Sequence, residues 1–191
     1  YVHRRSFIAI VSAESSSSET CCGTTCDHPC GSMTTGTASG PVPFIDKDDR
    51  NAGAIKSGGT TRRAAKMVIL NADHGDIIEF VCSKQITERA AKVLFAAGFD
   101  KDFRARLGAY GLLPFQNGNH SVRVTEEFMQ AVAADGPWNL LARDGTVLQT
   151  IRARVLWDLI CIAAYECGCP GLQFDSVING WHTCPNTARI N

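Results

Sequence analysis

The chain has no surplus charge of either sign: its 191 residues carry 19 Lys plus Arg and 19 Asp plus Glu. A balanced chain has no global field for gathering DNA, RNA or an anionic membrane, so any phosphate it holds must be held by a local arrangement. Long apolar runs are also missing. The longest apolar stretch, Val155 to Ala164, is interrupted by Asp158 and falls far short of a bilayer span. The sequence does not begin with methionine, and the apolar stretch behind Arg4-Arg5 is short, so an export signal is not expected and a cytoplasmic location is. Nine cysteines are an odd number and too sparse for a disulfide scaffold, which fits a reducing compartment.

What is present changes character near Gly36. Residues 1–35 are rich in Ser, Thr, Gly and Cys, including the run Ser15 to Ser18 and the pair Cys21-Cys22. Such a stretch has little apolar surface to offset the entropy of ordering it, so an irregular or disordered segment is expected there. The group Cys21, Cys22, Cys26, His28 and Cys30 has zinc-ligand chemistry, but a structural zinc site draws on two separated ligand pairs and this is one crowded group. Loop thiols are the preferred reading, also for Cys167, Cys169, Cys184 and His182, and no metal site is assigned.

Residues 36–191 carry regular apolar periodicity and are read as one α/β domain. Val42 to Ile45 is a strand candidate and Asp46 to Ile55 a helix. Met67 to Leu70 is a continuous apolar run of strand length, predicted to be buried on both faces. A short helix is predicted over Asp76 to Cys82, with His74 as a hydrogen-bonding residue at its entry. A longer helix is predicted over Thr87 to Ala97, with Ala90, Leu94 and Ala97 on one face and Gly98 as its stop. Gly108 to Asn119 reads as a turn-rich loop and Ser121 to Val124 as a strand before a helix capped by Thr125, with Glu126 and Glu127 suiting its first turn. Asp144-Gly145 marks a hairpin between Trp138–Ala142 and Thr146–Thr150. Ile151 to Glu166 is an amphipathic helix with Val155, Leu159 and Ile162 inward and Cys161 packed in the core, ending at Gly168. Leu172 to Phe174 is strand-like, and residues 179–191 are irregular.

The segment Ala54 to Lys66 combines two glycines, hydroxyl donors and four basic residues. Glycine lets backbone approach a ligand closely, exposed N–H groups bind oxyanions, and arginine grips phosphate with two parallel donors. It lacks the G-x-x-x-x-G-K-[ST] spacing of a Walker loop, so composition alone leaves a solvated basic turn as an equal reading.

Ser57-Gly58-Gly59-Thr60-Thr61-Arg62-Arg63-Ala64-Ala65-Lys66-Met67-Val68 resembles the glycine-arginine segment of dimeric vitamin B12-dependent (class II) ribonucleotide reductases. Three more stretches resemble that family in the same order: Gly36 to Val42, Asn119 to Thr125, and Pro170 to Asp175 running on to Trp181-His182-Thr183-Cys184-Pro185. The resemblance implies an incomplete portion of a ten-stranded α/β barrel, adenosylcobalamin as cofactor of the complete enzyme, a ribonucleotide substrate, a deoxynucleotide effector and a homodimer. It implies thiyl-radical reduction of ribonucleotides to deoxyribonucleotides for DNA synthesis. The family's radical cysteine follows a stretch like Arg189-Ile190-Asn191, so no catalytic residue is assigned and the isolated chain is expected to be inactive. Lys56, Ser57, Gly58, Gly59, Thr60, Thr61, Arg62 and Arg63 are implied to form the loop that couples effector to substrate specificity, with Ser39 and Gly40 possible nucleotide contacts. The rival reading is a non-catalytic nucleotide- or zinc-binding module. Gly75 stands where the family usually has proline, and Gly118 and His120 stand where serine and asparagine are more frequent.

Overall fold

The computed structural model describes residues 11–12, 40–54, 66–103 and 105–190. Its framework is a parallel sheet in the order β1-β2-β3-β6, formed by β1 (Val11–Ser12), β2 (Lys66–Asn71), β3 (Gly118–Val124) and β6 (Gly171–Phe174). Parallel neighbours need long crossovers, and helices supply them: α2 (Ile77–Ala96) and the one-turn α3 (Ala109–Leu112) lie between β2 and β3, while α4 (Glu126–Ala133) and α5 (Ala153–Cys167) lie between β3 and β6. Between those last two helices, β4 (Pro137–Leu141) and β5 (Val147–Arg152) form the antiparallel hairpin predicted around Asp144-Gly145, and Gly145 takes φ +83°. Helix α6 (Asp175–Gly180) follows β6.

The apolar strand predicted at Met67 to Leu70 is present, with Val68, Ile69 and Leu70 buried. It pairs along its length with β3, from Lys66↔Gly118 to Asn71↔Arg123. A single apolar cluster joins these strands to Ile77, Phe80 and Val81 of α2, Phe128 of α4, and Leu156 and Ile160 of α5. Thr125 caps α4 as expected, its Oγ1 accepting from the Phe128 amide at 3.3 Å.

Three expectations are corrected. The residues read as a strand at Val42 to Ile45 open a single helix, α1 (Pro41–Ala54). Pro41 and Pro43 both fall in the first turn, where amide donors have no intrahelical partner, so neither proline obstructs it. The two helices expected at 76–82 and 87–97 are one continuous α2, because no glycine or proline separates them and the intervening hydroxyls bond inside the helix: Ser83 Oγ to Phe80 O at 2.7 Å and Thr87 Oγ1 to Ser83 O at 2.9 Å. Thr87 and Ala91 are the residues buried in its second half, while Ala90 and Leu94 are half-buried and Ala97 is exposed.

The third concerns α5, whose buried stripe is Ala153, Leu156, Ile160 and Ala163. Val155 and Ile162 are about half exposed, and Cys161 is exposed rather than in the core. Both stripes of this helix are apolar, so periodicity alone does not choose between them. The two alanines settle it by letting α5 lie close against α2 and α4. The helix ends at Gly168 with φ +73°, as expected.

Within the described residues the sheet is open and does not close into a barrel. No described helix is long and apolar enough to cross a membrane.

Candidate functional site at the two edges of the parallel sheet

At the carboxyl edge of the strands, a cleft of about 530 Å³ opens between the ends of β2, β3 and β6. Its charged lining is Asp73, Arg123, Glu127, Asp175 and Arg189. Asp175, at the start of α6, is the hub. Its Oδ1 accepts from Arg123 Nε at 2.6 Å, its Oδ2 accepts from the Arg189 guanidinium, and Asn179 Nδ2 donates to Oδ1 at 3.2 Å. The same group grips the returning backbone. The Ile190 carbonyl accepts from the Arg123 guanidinium and from Asn179 Nδ2 at 3.1 Å, and the Ile190 amide donates to Asn179 Oδ1 at 2.9 Å.

Three carboxylates thus face two guanidiniums, and both guanidiniums are engaged with Asp175. That balance suits the holding of polypeptide better than the holding of a polyphosphate, which needs cationic donors left available. A hydrogen bond from Thr125 helps keep the Glu127 carboxyl below the ordinary carboxylate range, so it stays ionised at neutral pH. None of these five residues was singled out as a site from the sequence. Arg123 carried the one legible signal, a charge lying between the apolar Val122 and Val124 of a segment read as a strand.

The opposite, amino edge of the sheet is where α1 ends and β2 begins. Asp49, buried on α1, accepts from the Asn117 amide at 2.7 Å and the Gln116 amide at 2.9 Å. Asn117 Nδ2 donates back to Asp49 O at 3.1 Å, and the Asn117 carbonyl accepts from the Lys66 amide at 3.1 Å. The Lys84 ammonium donates to the Gly118 carbonyl one residue further on.

Beside this edge lies His120, stacked on Phe80 at 4.7 Å and set edge-on to Phe115 at 5.5 Å. Burial, reinforced by the Lys84 charge, pushes its pKa down to about 3, so the ring is neutral. A Cβ on Gly118 would stand 3.2 Å from Asp49 Oδ1 and 3.8 Å from His120 Nε2. The tight approach at Gly118 is thus to Asp49, while His120 is at ordinary contact distance.

Of the residues expected to contact nucleotide, Lys56, Ser57, Gly58, Gly59, Thr60, Thr61, Arg62, Arg63 and Ser39 lie outside the described residues, as does the Cys21 to Cys30 group. Gly40 is described: it takes φ +71° at the carboxyl edge, and a Cβ there would be 3.0 Å from Asp76 Oδ2. The chain on either side of 55–65 is held at the amino edge, so Gly40 and those flanks are on opposite edges. His74 fills the role expected of it, its Nδ1 accepting from the Asp76 amide at 3.0 Å. Among the described residues no group of three His, Cys, Asp or Glu could hold a metal ion.

Residues 29–191 match the family model for the ribonucleotide reductase barrel domain. Over 159 residues, 82% of this chain, the sequence is 47% identical to a vitamin B12-dependent ribonucleotide reductase of Streptomyces coelicolor, of which the match covers 16%. The corresponding protein of Rhodopirellula baltica is 42% identical over 159 residues, 82% of this chain and 15% of that protein. A vitamin B12-dependent ribonucleoside-diphosphate reductase of Mycobacterium tuberculosis is 35% identical over 158 residues, 82% of this chain and 19% of that protein. The chain thus spans about a sixth of the length of the curated relatives it matches.

Proposed function

From the premise that the chain belongs to the ribonucleotide reductase barrel family, among relatives that are vitamin B12-dependent, we propose that it forms part of the barrel of an enzyme reducing ribonucleotides to deoxyribonucleotides. Within that enzyme, Lys56, Ser57, Gly58, Gly59, Thr60, Thr61, Arg62 and Arg63 couple a deoxynucleotide effector to the choice of substrate base, in a homodimer. The supporting observation is at the amino edge: the glycine- and arginine-rich segment lies in sequence between α1 and β2, and Asn117 bonds both Asp49 of α1 and Lys66, the first residue of β2. Glycine permits several backbone conformations, and an effector that prefers one conformation of a segment shifts the population toward it.

The carboxyl-edge cleft does not have the lining of an adenosylcobalamin site. The cleft at the carboxyl edge has the size of a small-ligand pocket and a charged lining, whereas a corrin ring needs a broad and largely apolar face. Thiyl chemistry also needs a thiol beside the substrate, and no cysteine lines this cleft, so the 191 residues alone are expected not to turn over.

The test is an exchange: this segment replaces the matched stretch of the Streptomyces coelicolor relative, and ribonucleotide reduction is assayed with adenosylcobalamin, with and without deoxynucleotides. Effector-dependent turnover that disappears on Arg62→Ala with Arg63→Ala supports the proposal. An active exchange enzyme with no effector response, or one indifferent to both arginines, refutes the role given to residues 56–63.

A further inference from the structure

Two thiols flank a single glycine where α5 gives way to β6: Cys167 is the last residue of the helix, and Cys169 follows Gly168. Gly168 takes φ +73° and ψ 9°, the left-handed conformation that folds a chain back at a helix end. Residues on either side of such a turn lie closer than the about 6.6–7.2 Å spanned by two steps of extended chain. A disulfide needs Cα atoms roughly 4.4–6.8 Å apart, so the turn brings the pair within bridging range. The Cys167 side chain is already folded over it, with Sγ donating to the Cys169 carbonyl at 3.3 Å and to the Ala163 carbonyl at 3.2 Å. The two thiols are also near enough for Cys169 to act electrostatically on Cys167.

A small reagent can reach this turn. Gly168 is exposed, both cysteines are half-buried, and a Cβ on Gly168 would meet no atom within 4 Å. The turn precedes Gly171, where β6 begins to pair with Ser121, and so stands at the amino edge of the sheet. Neither cysteine lines the cleft at the opposite edge, which separates this pair from any chemistry performed there.

We propose that Cys167 and Cys169 form a reversible oxidation site, closed into a disulfide across Gly168 by a low-molecular-weight disulfide. Burial pushes the Cys167 thiol up, so Cys169 is the first nucleophile. Its thiolate attacks one sulfur of the reagent, giving a mixed disulfide and expelling one thiolate. Cys167 then releases its proton to solvent and attacks Cys169 Sγ, which forms the internal bond and expels the second thiolate. The protein gives up two electrons and two protons, and the reagent's S–S bond is reduced to two thiols. Closure removes the S–H that Cys167 donates to Ala163 and Cys169, so the last turn of α5 exchanges those contacts for a covalent tie. Exposed disulfides belong to the readily reduced class, and excess thiol is expected to reopen this one.

The test treats the native full-length enzyme with oxidised glutathione, labels the remaining thiols with iodoacetamide, and cleaves after Glu166 and Asp175. Cys167 and Cys169 are then the only cysteines of one short peptide. In the wild type that peptide is expected two hydrogens lighter than its dithiol form and without label, and reduced glutathione added before labelling is expected to restore both labels. Cys167→Ser and Cys169→Ser are each expected to lose the lighter species. Gly168→Ala keeps both thiols but strains the left-handed turn, and is expected to collect glutathione on Cys169 without closing. Labels on both wild-type thiols after oxidation, a mixed disulfide that persists in the wild type, or a bond from Cys167 to another cysteine overturns the proposal. Closure of Gly168→Ala as fast as the wild type overturns the part given to the turn.

Discussion

Arg123 Nε and Asp175 Oδ1 meet at 2.6 Å with both side chains less than a tenth exposed. The partners are 52 residues apart in the chain, one on β3 and the other at the head of α6, so their meeting fixes the turn after β6 against the middle of the sheet. Removing one partner leaves the other charged, buried and unpaired, a cost of about 3–5 kcal/mol. Asp175→Ala is therefore expected to lower the urea midpoint steeply. Arg123→Met combined with Asp175→Leu, which removes both charges, is expected to recover most of the loss; a double variant as unstable as the single one would show that the pair itself is not the source.

His120 gives the chain an acid-sensitive core. The unfolded chain takes the proton with a pKa near 6.5 and the folded chain near 3, so between those values protons favour unfolding. The contribution is fully present above pH 6.5 and is lost as the pH falls toward 3. At 1.36 kcal/mol per pH unit the loss is roughly 2 kcal/mol by pH 5. Urea midpoints at pH 7 and pH 5 should differ accordingly in the wild-type chain, and His120→Asn should remove that difference. Equal acid losses in the two proteins would show that His120 is not the titrating group.

Strand β2, the hairpin, the Thr125 cap and the Gly168 stop were legible in the sequence because each is a local rule: an apolar run, a turn dipeptide, a hydroxyl before an acidic turn, a glycine with positive φ. The amphipathic face of α5 and the continuity of α2 were not. Which stripe of α5 is buried depends on where Ala153 and Ala163 meet other elements, and whether α2 breaks depends on hydroxyl bonds formed inside it. The Asp49–Asn117 frame and the Arg123–Asp175 pair were invisible for the same reason. A polar residue joined to a partner 52 or 68 positions away leaves no periodic trace, and only a charge between two valines hinted at one of them.

Gly75, where the resembled family usually has proline, donates its amide to Leu141 O at 3.1 Å, and Leu141 N donates to Asp73 O at 2.7 Å. The segment after β2 is thereby bridged to the hairpin. Gly75→Pro removes that donor and is expected to cost about 1–2 kcal/mol. Gly75→Ala retains it, and the new methyl meets Leu148 Cδ1 at 2.7 Å, the movable end of a half-exposed side chain, and Leu141 O at 3.4 Å, an ordinary contact, so its cost should stay within about 0.5 kcal/mol. Thermal or urea unfolding of the two variants measures the contrast, and equal effects would mean that the hydrogen bond contributes nothing.

The assignment of faces on α5 can be tested by paired truncations. Leu156 and Ile160 are at most 1% exposed, while Val155 and Ile162 are 49% and 48% exposed and Tyr165 points almost wholly outward. Leu156 joins the cluster that also contains Phe128, Ile77 and Val122, so Leu156→Ala should leave a cavity there and cost about 2–5 kcal/mol. Val155→Ala and Ile162→Ala remove side chains already half in water, and each should change stability by no more than about 0.5 kcal/mol. Urea midpoints measure all three. The opposite order, with Val155 costly and Leu156 tolerant, would restore the stripe expected from periodicity. It would also require α5 to be turned about its axis by roughly one residue, some 100° at 3.6 residues per turn, which would carry Glu166 away from its two-point contact with Arg89 of α2.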